Sequence, residues 1–89
     1  MVRVPGRPGK MEGSPAGPKE FEQEFYTTRS ETANFLRQLA DEIEAGGVVE
    51  ASAESWNLGV NPMEPLKLEV QYKFDKRELE VQVKLKESP

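Results

Sequence analysis

Two groups of acids and one tryptophan are the residues of this chain that could carry chemistry. Glu20, Glu22 and Glu24 alternate along "EFEQEFY", and Asp41, Glu42 and Glu44 cluster in "LADEIEAGG". A pair of carboxylates can act as acid and base on a glycosidic bond. A calcium ion takes about six to eight oxygens from a dedicated loop, whereas these acids fall on regular elements. The rest of an active site is missing. The chain has no histidine, which removes the commonest general base and the Ser-His and Cys-His nucleophile pairs. It has no cysteine, so it forms neither a disulfide framework nor a thiolate metal site. We expect a protein that is not an enzyme and uses no cofactor and no metal.

Trp56, in "AESWNLGV", is the single tryptophan of the 89 residues. Tyrosines stand at Tyr26 and Tyr72. The row of Tyr26 is acidic and that of Tyr72 apolar, so Tyr26 is expected to be exposed and Tyr72 to lie in the core with its hydroxyl at the margin. Whether Trp56 anchors a core or grips a partner depends on the elements around it.

Those elements begin with a change in composition. Residues 1–18 contain four prolines and four glycines and almost no large apolar group. Such a segment buries too little to offset its ordering entropy and is expected to be disordered. Residues 1–19 hold four basic residues against one acid, a net of +3, while the other eight basic and fifteen acidic residues leave −7. Phosphate binding depends on clustered Lys and Arg, so nucleic acid is not the expected partner of the acidic part; weak contact through the basic tail is a lesser alternative. Met11 is a candidate alternative start. No window reaches the roughly 20 apolar residues of a membrane-spanning helix, and the N-terminus has no apolar signal region. The expected location is the cytoplasm.

From residue 20 the pattern is regular. "EFEQEFYT" alternates as a strand, with Phe21, Gln23 and Phe25 inward and Gln23 the one polar position on that side. Thr28 and Glu31 form a capping box ahead of a helix that presents Ala33, Leu36, Leu39, Ala40 and Ile43 on one face, with Phe35 at the border. Gly46-Gly47 ends it. A hairpin tip at Ala53-Glu54 places Val49, Ala51, Trp56 and Leu58 on one face, with Trp56 facing Ala51 under the helix. Gly59 suggests a bend or a close backbone approach. "NPMEP" is a loop. "LKLEVQYKF" and "ELEVQVKLK" then alternate strictly. A turn centred on Lys76-Arg77 pairs Tyr72 with Val81, Lys73 with Glu80 and Glu69 with Lys84. The expected fold is α+β, an antiparallel-rich sheet in the order β-α-β-β-β-β with one helix packed on one face.

An acidic first strand, "FLRQLADEIEAGG", "SWNLGV", a proline loop, and the strands "LKLEVQY" and "ELEVQVKL" together resemble the amphi-Trp domain, a small archaeal and bacterial family. The resemblance covers residues 19–87. It implies that Trp56 is the hallmark residue and that residues 66–86 form the amphipathic strands. It implies fold boundaries and no mechanism.

The outer face of the last hairpin carries mixed charges without the aromatic platforms that RNA-reading sheets use. One helix about 10–12 Å across covers two to three strands spaced about 4.8 Å apart. Five strands therefore leave an apolar margin, the kind of surface that marks a partner site. Association with a protein partner, a homodimer included, is the expected function. Trp56, Leu58, Val49 and Tyr72 are its candidate anchors, and binding of a small ligand or glycan around Trp56 is the alternative.

Overall fold

A computed structural model describes residues 1–88. The chain forms two compact units, Met1–Gly59 and Val60–Pro89. In order, the elements are β1 (Val2–Arg3), β2 (Arg7–Gly13), β3 (Phe21–Tyr26), α1 (Arg29–Ala45), β4 (Val49–Ala53), β5 (Trp56–Val60), β6 (Lys67–Lys73) and β7 (Glu78–Lys84). The fold is α+β and antiparallel-rich, with antiparallel β2–β3 and β6–β7 ribbons and a parallel β1–β4 pair. The strands do not form one sheet, however. They form three, β1-β4-β5, β2-β3 and β6-β7.

Residues 1–18, expected to be disordered and separate from a domain at 19–87, instead supply β1 and β2. Val2 lies beside Ala51 in parallel register and is the most buried side chain described, at 1% exposure. The Val4 N–H donates to the Ser52 carbonyl at 2.8 Å. Proline and glycine composition misled because β2 has only one strand neighbour. An edge strand needs no donor on its open side, and the register shifts between Pro8 and Met11. Gly9 has a further reason to be glycine. A Cβ there would lie 2.7 Å from Cε2 of the Tyr26 ring.

Helix α1 starts as its sequence dictates. Thr28 Oγ1 accepts from the Glu31 N–H at 3.0 Å, and Glu31 Oε1 accepts from the Thr28 N–H at 2.9 Å. Gly46 ends the helix at φ 84°. Thr28→Ala removes one arm of the box and is expected to lower stability by about 1 kcal/mol, read from the urea midpoint with an unchanged slope.

The helix packs on β1 and β4 but buries none of its residues fully. Ala33, Phe35, Leu39, Glu42 and Ile43 are half-buried, whereas Leu36 and Ala40, expected in the core, are exposed. The helix is therefore rotated about its axis toward Phe35. Glu42 fits this rotation. Its carboxylate accepts from the Met1 ammonium at 2.7 Å and from the Glu50 N–H at 2.6 Å. Those two bonds, the ammonium first, hold the carboxyl below its ordinary pKa. An acid near a helix C-terminus opposes the helix dipole. At Glu42 the contacts to β4 and Met1 supply its partner.

Strands β4 and β5 turn at Glu54 and Ser55, one residue later than expected. Trp56 thus neighbours Ala53 across the turn rather than Ala51, although the same residues share the face. A Cβ on Gly59 would stand 2.7 Å from Glu50 Cγ and 2.9 Å from the Val49 carbonyl oxygen, so close approach of the two strands requires glycine there.

In the second unit, β6 and β7 pair two residues out from the expected register. Tyr72 faces Leu79, Val70 faces Val81, Gln71 faces Glu80 and Lys73 faces Glu78. The connection is a four-residue loop, Phe74–Arg77, with Arg77 at φ 53°. The two-residue turn expected at Lys76-Arg77 would need positive φ at one or both central residues, which Lys and Arg disfavour. The longer loop asks for it once. Because the shift is two, every side chain keeps its face.

Among the described residues no helix is long and apolar enough to cross a membrane.

Candidate functional site

Two places in the structure gather the residues singled out by sequence, one in each unit. The first is built around Trp56. From β5 its ring reaches β3, where it meets Phe21 edge-on at a centroid distance of 5.4 Å and Phe25 at 6.5 Å. The indole N–H donates to Gln23 Oε1 at 2.8 Å. Alternation along β3 puts Phe21, Gln23 and Phe25 on one side, so the single polar residue of that side becomes the acceptor a half-buried indole requires.

The sequence suggested the helix as the cover of Trp56; among the described residues its aromatic and hydrogen-bond partners are on β3, so it bridges the β2–β3 ribbon and the β1-β4-β5 sheet. Val49 is buried, while Leu58 is exposed at the rim of an open hollow of about 430 Å³ shared with Val4, Phe21, Phe25 and Trp56. The hollow is shallow and largely apolar, and Gln23 already occupies the indole N–H. A ligand there would meet ring edges and aliphatic groups, with Glu22 and Gln23 also in the lining.

The basic residues of the N-terminal segment are partly engaged. The Arg7 guanidinium sits 4.8 Å from the centroid of the exposed Tyr26 ring, and Lys10 pairs with Glu12 at 2.8 Å.

The second place is the β6–β7 hairpin, whose two faces differ completely. On one face Glu69 lies between Lys84 at 3.0 Å and Lys67 at 3.2 Å, and Lys73 lies between Glu80 at 3.1 Å and Glu78 at 3.5 Å. Lys84 first, then Lys67, holds the Glu69 carboxyl below its ordinary pKa, and Glu80 first, then Glu78, raises that of Lys73. A depressed carboxyl stabilises the fold above its unfolded pKa, and that contribution fades as pH falls through the folded value. Glu69→Gln should therefore melt lower than the parent at pH 7. The difference should shrink below about pH 4 and with added salt, as thermal melts in a pH series would show.

The other face carries Leu68, Val70 and Tyr72 on β6, Leu79, Val81 and Val83 on β7, and Phe74 in the loop. Tyr72 and Phe74 stack edge to face at 4.9 Å. All seven are exposed. Tyr72, expected in the core, is 45% exposed and belongs to this open face. The sequence showed that these side chains share a face; their exposure becomes visible only in the structure.

Among the described residues no group of three or more histidine, cysteine or acidic side chains is arranged to hold a metal ion. These features define an α+β domain organised around one bridging tryptophan and an amphipathic hairpin. The Amphi-Trp domain model matches residues 16–87, and the chain belongs to that family. The match starts three residues before the boundary expected from sequence and leaves β1 and β2 outside it. Comparison with curated proteins and with solved structures gave no match.

Proposed function

We propose that this protein is a non-enzymatic association module that binds a protein partner through the apolar face of β6–β7. One observation carries the reading. Leu68 and Val70, each 70% exposed, lie on a strand face that carries no charge, and Phe74, 84% exposed in the adjoining loop, extends it through its contact with Tyr72. Scattered apolar residues on a surface need no explanation, but a contiguous patch of several hundred Å² is the mark of an interaction site. A two-stranded hairpin is also marginal in water unless its apolar face is covered.

Recovery of binding partners from a cell extract tests this proposal, with the wild-type chain compared with Val70→Glu and with the opposite-face variant Gln71→Lys. The same protein, another chain or this one, should be recovered by wild type and Gln71→Lys and lost with Val70→Glu. Equal recovery by all three would place association elsewhere. Binding of a small apolar ligand at the Trp56 hollow is the second reading, supported by the open rim beside Leu58. Its signature would be a saturable change in Trp56 emission.

A further inference from the structure

We infer that the occupant of the β6–β7 face is a second copy of this chain, packed face to face so that two hairpins form a four-stranded sandwich. The inference rests on the proposal that this face is an association surface, and it adds the partner.

Three features of the hairpin support a second copy. The first is area. The exposed fractions of the seven apolar residues correspond to surface on the order of 800 Å², about what each partner buries in an interface of standard size. The second is charge. Glu69, Lys84, Lys73 and Glu80 pair with one another on the opposite face, so closing two apolar faces together buries no ion. A partner chosen by charge would find nothing on this face to recognise. The third is self-complementarity. Val70 and Val81 face each other at the middle of the hairpin, flanked by Leu68–Val83 on one side and Tyr72–Leu79 on the other. A two-fold axis through that centre brings the same aliphatic patch against itself, as an isologous interface requires. Two sheets packed this way stand about 10 Å apart and interdigitate their side chains. The Tyr72–Phe74 pair supplies an aromatic anchor, the residue class enriched at interface hot spots.

Sedimentation velocity of the full chain from about 1 to 200 µM provides the test. The expected result is a concentration-dependent monomer–dimer equilibrium. Val70→Glu should shift the midpoint beyond the range, Phe74→Ser should weaken the dimer roughly 30-fold, and Gln71→Lys should leave it unchanged. Phe74 is in the loop and its replacement breaks no strand pairing, so a folding defect in Val70→Glu would not void the test. Because the native chain contains no cysteine, Val70→Cys supplies a direct probe. Under oxidation it should form a disulfide-linked dimer, and Gln71→Cys should not.

A chain that is monomeric throughout the range overturns the inference. So does a dimer that Val70→Glu and Phe74→Ser leave intact. A monomer that still recovers another protein from extract through Val70 would end the second-copy inference and leave the association proposal standing.

Discussion

Trp56→Ala should cost the Met1–Gly59 unit roughly 3 kcal/mol, the lower end for removing a large aromatic side chain because Trp56 is only half-buried. Against the total of about 5–15 kcal/mol typical of a domain, this is a severe loss. The size follows from position. Trp56 is the side chain that joins β5 to Phe21, Gln23 and Phe25 of β3. Trp56→Phe should cost less, since a ring remains, but it strands the Gln23 carbonyl. Gln23→Leu keeps the ring and leaves the indole N–H without its acceptor, a penalty of about 1–3 kcal/mol. Urea unfolding followed by circular dichroism measures all three. A loss below about 1 kcal/mol for Trp56→Ala would mean that the bridge contributes little.

The second large effect belongs to β1. A chain beginning at Met11 should be less stable than the full chain by about 3 kcal/mol or more, since burying one valine side chain contributes roughly 1.5–3 kcal/mol by itself. It would also lose the Val4–Ser52 hydrogen bond and the strand beside β4. Val2→Asp in the full chain should act in the same direction by placing a carboxylate in the most buried position described. Equal urea midpoints for chains starting at Met1 and at Met11 would show β1 to be dispensable. A disordered tail predicts equality, so the experiment distinguishes the two directly.

That contrast shows which features a sequence of this kind exposes. The capping box at Thr28 and the stop at Gly46 were legible because each needs only residues within one turn. The face assignments of β3, β6 and β7 were legible because alternation has a fixed period. β1 was not. Its two residues carry no pattern, and Val2 is placed by β4, some fifty positions further along. The rotation of the helix was hidden in a similar way, since it brings in Glu42, a residue that periodicity assigns to water. At the site, Gln23 showed on sequence as one polar position in an apolar row. Its partner was out of reach, because nothing local links residue 23 to residue 56. The openness of the hairpin face was illegible for a simpler reason. An apolar row signals that something should cover it and never says whether anything does.

In the expected hairpin register Lys73 would stand directly opposite Glu80, and Glu69 opposite Lys84. In the observed one these same pairs close diagonally, at 3.1 and 3.0 Å. Strand composition is thus nearly indifferent between two alignments. Both keep the apolar row on one side, and both join the same acids to the same lysines. What distinguishes them is the loop, where Phe74–Arg77 can close in four residues with a single left-handed position at Arg77. The strands encode which side of the ribbon is greasy, and the loop encodes where the ribbon is stitched. The two instructions can therefore vary independently, and an edit confined to the loop could slide β7 along β6 without turning any side chain over.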